Sequence, residues 1–70
     1  MRLTRHAKNY LRRLQATVAD VELVITEPEA VDVDEYGKPR YIGEIQGVRV
    51  RVVVALDEPD LIVTIHDRRN

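Results

Sequence analysis

The sequence contains no cysteine, tryptophan or phenylalanine, and its aromatic residues are three tyrosines. Without cysteine the chain can form neither disulfides nor a thiolate metal site, a composition that suits a reducing cytoplasm. With so few aromatic rings it is poorly supplied for stacking nucleic-acid bases. A disulfide-stapled secreted scaffold and a base-stacking platform are therefore both disfavoured.

Long apolar runs are also missing. No segment approaches the roughly 20 residues of a membrane span, and the basic start lacks the apolar core of a signal peptide. There is no glycine-rich phosphate loop, no histidine pair at metal-binding spacing, and no Ser-His-Asp arrangement that the spacing supports. We therefore expect one small cytoplasmic domain over residues 1–70, with no membrane partner, no metal and no cofactor.

Charge is distributed in blocks, although the formal net charge is only −1. Residues 1–16 hold five bases and no acid, and residues 17–37 hold seven acids and no base. From residue 38 to residue 51 bases again outnumber acids. The nearly neutral total argues against non-specific binding of nucleic acid by the whole surface. The blocks either attract one another within the fold or leave one face positive.

Two helices are predicted before the first proline. Apolar residues recur at helical spacing between residues 3 and 14, with Thr4 as the N-cap. This first helix turns its bases to solvent and places His6 on the flank of the apolar stripe. Thr17 and Asp20 have the form of a capping box at the start of a second helix, which Pro28 ends.

After residue 28 the apolar period changes from 3.6 to 2. Four strands are predicted in "AVDVDEYG", "RYIGEI", "VRVRVVVAL" and "LIVTIHD", separated by turn residues around Gly37, Gly47 and Pro59. Short connections favour antiparallel neighbours, and therefore a meander. The predicted fold is α+β in the order ααββββ, with two N-terminal helices packed on one face of a four-stranded antiparallel meander sheet.

The turns also predict the register of the strands. A two-residue turn at Gln46-Gly47 pairs Ile45 with Val48, and a turn at residues 57–60 pairs Leu56 with Leu61, Val54 with Val63 and Val52 with Ile65. Both turns agree on which side of the sheet the helices cover. The opposite face then carries ten residues: Arg40, Ile42, Glu44, Arg49, Arg51, Val53, Ile62, Thr64, His66 and Arg68.

This opposite face has the side chains of a phosphodiester site. Arg51 is expected directly across from His66, with Thr64 beside it and Arg40 one strand away. Arginine offers planar bidentate donors to phosphate oxygens, and histidine transfers protons near neutral pH. RNA can be cleaved without a metal when its own 2′-hydroxyl attacks the adjacent phosphorus. The candidate catalytic residues are His6, Arg40, Arg51, Thr64 and His66, and the candidate RNA-binding residues are Arg5, Arg49 and Arg68.

Purely structural interpretations stand beside this one. Arginines on an exposed sheet face usually keep the protein in solution, and a cross-strand pair such as Glu44 with Arg49 neutralises itself locally. Asp34 is expected to pair with Arg40. Asp32 and Asp34 alternate on one strand face, but the sequence shows no clustered third and fourth ligands for a cation.

Four segments together resemble a known family: "TRHAKNYLRRL", "ADVELVITEPE", "GKPRYIGEIQGVRVRVVV" and "LIVTIH". Their order and spacing resemble the bacterial domain of unknown function 4258, a group of short proteins akin to RelE-like and BrnT-like toxins. The resemblance covers nearly the whole chain. It implies the barnase–colicin–RelE type of fold and a metal-independent endoribonuclease, often inhibited by an antitoxin.

The resemblance also implies site residues. The early histidine of the family matches His6 in "RHA", and the basic residue before the aromatic of the second strand matches Arg40 in "RYIG". The basic position of the third strand matches Arg51, and the hydroxyl of the last strand matches Thr64. The family often has an aromatic residue where this chain has His66.

Two functions fit these observations. The first is a RelE/BrnT-like ribonuclease that acts on single-stranded or ribosome-bound RNA. The second is a non-catalytic interaction module, whose acidic tract, basic first helix and sheet edges dock a complementary partner, such as a cognate antitoxin or a second copy of the chain. A remnant with neither role is the third reading.

Overall fold

The computed structural model describes residues 1–67, so the predicted RNA-binding residue Arg68 lies outside the described part. It has two helices, α1 (Arg5–Leu14) and α2 (Val18–Thr26), and five strands: β1 (Arg2–Leu3), β2 (Ala30–Val33), β3 (Pro39–Ile45), β4 (Val48–Val54) and β5 (Leu61–Asp67). The predicted α+β class with two helices is confirmed. Neither of these helices is long and apolar enough to cross a membrane.

The four predicted strands form the expected antiparallel meander, but the number of strands is wrong, because the sheet has a fifth strand, β1, and is therefore mixed. Its order is β1-β5-β4-β3-β2, and β1 pairs in parallel with the start of β5. The Arg2 N–H donates to the carbonyl of Asp60 at 2.8 Å, and the Thr4 N–H donates to the carbonyl of Ile62 at 3.1 Å. A strand of two residues has no alternation for sequence analysis to detect.

The helix boundaries follow the capping residues. The Thr4 hydroxyl accepts from the Ala7 N–H at 3.2 Å, and the Asp20 carboxylate accepts from the Thr17 N–H at 2.9 Å. Helix α1 ends at Gln15, whose φ of 56° lies in the left-handed region that usually favours glycine. These caps fix where both helices begin and where α1 ends.

The hydrophobic core lies between the two helices and one face of the sheet. Helix α1 packs against β5, and α2 packs against β3 and β4. Gly43 allows the close approach of α2, because a Cβ atom there would lie 3.2 Å from both methyl carbons of Val24. The core comprises Ala7, Tyr10, Leu11, Val21, Val24, Ile45, Val50, Val52, Val54, Ile62 and Ile65.

The predicted register is confirmed between β3 and β4 and only partly between β4 and β5. Ile45 pairs with Val48, and Val52 pairs with Ile65, as the turns require. A β-bulge between Val53 and Val54 then shifts the pairing, so that Val54 faces Ile62 instead of Val63. Because one extra residue reverses the alternation, Ile62 enters the core rather than the opposite face.

Thr4 connects α1 to this bulge. Its hydroxyl donates to the carbonyl of Val63, in addition to accepting from the Ala7 N–H. We expect Thr4→Val to lower the free energy of unfolding by about 1–3 kcal/mol, since it removes an N-cap and leaves a strand carbonyl unpaired. Chemical denaturation measures this, with Thr4→Ser as the control that keeps the hydroxyl. Equal losses in both variants would contradict the assigned role of the hydroxyl.

Candidate active site

The candidate site lies on the face of the sheet opposite the helices, called here the open face. No helix of residues 1–67 packs on it. The strand pairing arranges its side chains in two neighbouring rows that cross the sheet. One row is Asp32, Arg40, Val53 and Thr64, and the other is Ala30, Ile42, Arg51 and His66.

Two apolar side chains of the open face are buried without a helix above them. Ile42 and Val53 are each only 4% exposed. In the register Arg51 is the cross-strand neighbour of Ile42, and Arg40 is the cross-strand neighbour of Val53. Arginine stems shield neighbouring apolar surface while their guanidinium groups remain polar. The two arginines are therefore part of the packing of this face as well as part of its charge.

Arg40 is held by a carboxylate on the neighbouring strand. Its Nε and Nη2 atoms donate to the two carboxylate oxygens of Asp32, each at 2.7 Å. The predicted partner Asp34 instead accepts from the backbone N–H groups of Tyr36 and Lys38, at 2.9 and 2.8 Å. Burial acts to raise the pKa of Asp34, but these hydrogen bonds and the charge of Lys38 lower it below its ordinary value.

Arg49 is also neutralised, although not by its cross-strand neighbour. Its Nη1 atom lies 2.7 Å from a carboxylate oxygen of Glu29, whereas Glu44 is the residue opposite it in the register. Both side chains of the Arg49–Glu29 pair are nearly half exposed. Exposed pairs of this kind contribute little to stability, but they do compensate the charge locally.

Arg51 differs from the other two arginines of this face. Within residues 1–67 it forms no ion pair, and its Nε atom is buried without a hydrogen-bond partner. A buried donor of a charged group that lacks a partner is costly, by about 1–3 kcal/mol or more. An anion that accepts from this guanidinium would remove that cost.

His66 lies directly across from Arg51, as the register predicts. Burial lowers the pKa of His66 below the ordinary histidine value of 6.5, and the positive charges of Arg51, Arg40 and His6 lower it further. A backbone hydrogen bond with Asp67 acts in the opposite direction. His66 is therefore neutral at neutral pH and available to accept a proton.

Thr64 and His6 flank this pair from different elements. Thr64 lies two residues before His66 on the same side of β5 and is half-buried. His6 is exposed on α1, yet its charge still acts on His66. The β1 pairing ends at Ile62, so the second half of β5 has no strand on its outer side within the described residues, and α1 begins beside it.

The structure thus brings together Arg51, His66 and Thr64, with Arg40 in the adjacent row and His6 at the edge of the sheet. Arg49 lies further along β4, and Arg5 lies on α1 away from the open face. The sequence pattern did not identify Asp32 as the partner of Arg40. Counting back from the turn at residues 34–38 pairs it with Arg40 and would have identified it.

The described residues contain no group of three or more His, Asp or Glu side chains that could hold a metal ion. Comparisons with protein-family models, with curated proteins and with solved structures find no match to this chain.

Proposed function

We propose that the protein is a small RelE/BrnT-like endoribonuclease that cleaves single-stranded RNA without a metal, on the open face of its sheet. The observation that carries the proposal is the Arg51 guanidinium, whose buried Nε has no hydrogen-bond partner within residues 1–67 and which lies opposite a histidine of lowered pKa. The oxygens of an RNA phosphodiester can accept hydrogen bonds from this guanidinium, and the neighbouring ribose 2′-hydroxyl carries the proton that the imidazole removes.

The proposed reaction is an intramolecular transesterification. The RNA 2′-hydroxyl attacks the adjacent phosphorus, while neutral His66 takes its proton. A bond forms between phosphorus and the 2′-oxygen, and the bond between phosphorus and the 5′-oxygen breaks. His6, as the general acid, donates a proton to the leaving 5′-oxygen. The products are a 2′,3′-cyclic phosphate and a 5′-hydroxyl, so atoms and charges balance.

Arg51 acts on the phosphoryl oxygens in this scheme. Negative charge builds up on them as phosphorus becomes five-coordinate, and a fixed donor that already lies in place stabilises that charge. Arg40 is committed to Asp32 and supports the site by helping to keep His66 neutral. Thr64, in the same strand as His66, can orient the bound phosphate through its hydroxyl.

Purified protein incubated with single-stranded RNA and EDTA tests the proposal. We expect cleavage with 2′,3′-cyclic phosphate ends, and no cleavage of DNA of the same base sequence, which lacks the attacking hydroxyl. The matched control is the double variant Arg51→Met/His66→Gln, purified in parallel to expose contaminating nucleases. Equal, trace-level cleavage by the two preparations would reject the proposed catalysis.

A non-catalytic interaction module is the second candidate, and the edge of the sheet at β2 favours it. All four residues of β2 are exposed, including Val31 at 54% and Val33 at 60%. An exposed edge strand can pair with a strand from another chain, such as an antitoxin or a second copy. Sedimentation of the wild type and of the variant Val33→Lys tests this role. An interaction module should form a dimer or complex as the wild type, and the substitution should disrupt that dimer or complex.

A further inference from the structure

Helix α1 presents a continuous basic face that the proposed chemistry does not use. Arg5, Lys8 and Arg12 lie at helical spacing on the side of α1 opposite its buried residues, and all three are exposed. Within residues 1–67 none of them forms an ion pair. These three charges therefore remain available to a ligand.

The position of Arg5 and Lys8 along α1 does not serve the stability of the helix, whereas Arg12 lies in the last turn, where a cation is favourable. The N-terminal end of a helix is the positive end of its dipole, where acids stabilise and cations destabilise by a few tenths of a kcal/mol or more. The first turn of α1 has no acid, Arg5 is its first residue, and Lys8 follows one turn later. A helix selected for stability alone would carry the opposite charges here.

The basic face continues to the candidate site. His6, Asn9, Arg12 and Arg13 line a shallow depression of about 450 Å³ on the flank of α1. The Tyr10 hydroxyl on the same helix donates to the Asp67 carboxylate, next to His66 in β5. His6, in the first turn of α1, lies close enough to His66 for its charge to act on that imidazole, so this depression adjoins the β5 side of the candidate site.

We infer that this α1 face is a second binding surface for single-stranded RNA, which holds the phosphates that flank the one bound at Arg51. The inference rests on the proposed function for the identity of the ligand. It assigns the substrate as a chain of several nucleotides rather than a dinucleotide. Cations that follow a phosphate backbone bind it without regard to base sequence.

An acidic segment of a second copy is the competing occupant, and the structure disfavours it. Most acids of residues 17–37 already have partners within the chain. Asp20 accepts from the N-cap of α2, Asp34 holds the turn before β3, and Glu29 and Asp32 pair with Arg49 and Arg40. Two of the seven acids are therefore already paired with arginines, and two more are held by backbone N–H groups, before the block meets the α1 of another molecule.

The test is binding of 2′-O-methyl RNA, which cannot be cleaved, by fluorescence anisotropy over a range of salt. The variant Arg5→Gln/Lys8→Gln is expected to bind a long oligonucleotide about 10- to 30-fold more weakly at about 0.1 M salt. The slope of log K against log salt concentration should become shallower by about 1.4. Binding of a dinucleotide should stay the same. The unfolding midpoint in urea should stay equal or rise, because both removed charges lie near the positive end of α1.

The control Arg2→Gln/Lys38→Gln removes the same number of charges from outside α1, and it should bind the long oligonucleotide like the wild type. Equal weakening by both double variants, or by neither, would overturn the inference. So would a salt-sensitive dimer that the α1 variant dissociates without a change in RNA affinity. If the α1 variant binds long RNA more weakly but the wild type cleaves no RNA, the proposed catalysis fails and this inference stands. If the wild type cleaves RNA but the α1 variant binds long RNA as tightly as the wild type, this inference fails and the proposed catalysis stands.

Discussion

Replacing Arg51 with methionine is expected to lower the rate of RNA cleavage by about 100- to 1,000-fold, the usual effect of removing one fixed donor to transition-state charge. The variant should nevertheless fold. Methionine keeps an aliphatic stem beside Ile42, and it removes a buried Nε that has no partner within the described residues. We therefore expect the free energy of unfolding to rise by about 1 kcal/mol. Single-turnover cleavage and urea denaturation measure the two effects.

The matched variant is Arg49→Met on the same strand. Arg49 shares the face of Arg51, but Glu29 compensates its charge. Its loss should lower cleavage by less than about tenfold and should not raise stability. Similar losses of activity in both variants would show that total charge, rather than the unpaired guanidinium, matters. A large loss of stability in Arg51→Met would contradict the view that this side chain is retained for function.

Substitution of His66 is expected to have an equally large effect. His66→Ala removes the proposed general base, which should lower cleavage by about 100- to 10,000-fold. In the wild type, the limb of the pH profile on which cleavage rises with pH should have its midpoint below 6.5, because burial and the neighbouring cations lower the pKa of His66. Arg51→Met removes one of those cations, so it should raise the pKa of His66, which NMR titration of the imidazole measures directly. An unchanged His66 pKa in that variant would contradict the proximity of the two side chains.

The same lowered pKa predicts how stability depends on pH. The unfolded chain protonates His66 near pH 6.5, whereas the folded protein does so only at lower pH. The contribution of His66 to the free energy of unfolding is therefore complete above pH 6.5, and it is lost as the pH falls through the lower, folded value. His66→Gln should remove this part of the pH dependence. A wild-type stability that is constant between pH 7 and the folded pKa would contradict it.

Local signals predicted much of the fold. Thr4 and Thr17 mark the starts of both helices, and the turn at Gln46-Gly47 sets the pairing of β3 with β4. These features depend on residues close together in the chain, so their physical causes can be read from sequence. The α+β class follows because the apolar period changes once, after Pro28.

Features that depend on distant residues were not predictable. At the bulge between Val53 and Val54, the carbonyl of the extra residue Val63 accepts from the Thr4 hydroxyl, which comes from the other end of the chain. Strand β1 exists only through its hydrogen bonds to the start of β5. The turn at residues 57–60 alone gave no sign of either feature, and so it placed Ile62 on the wrong side of the sheet.

The candidate site was predictable in its placement and not in its charge balance. Alternation along β4 and β5 places Arg51 opposite His66, and the bulge falls beyond that pair, so their relation survives. Which arginine of the open face forms no ion pair within residues 1–67 depends on where the acids of other elements lie. Glu29 precedes β2 and reaches Arg49 across the sheet, whereas the sequence favoured Glu44.

We propose above all that the Arg51 guanidinium, which forms no ion pair within residues 1–67, receives a phosphate beside His66. The most direct test is an NMR titration with a non-cleavable 2′-O-methyl RNA dinucleotide, following arginine Nε–H groups and histidine rings. We expect the Arg51 Nε–H and the His66 ring to shift together and to saturate, while Arg2, paired with Glu58, does not move. Shifts confined to the helical side or to the β2 edge, with Arg51 and His66 unmoved, would contradict the account.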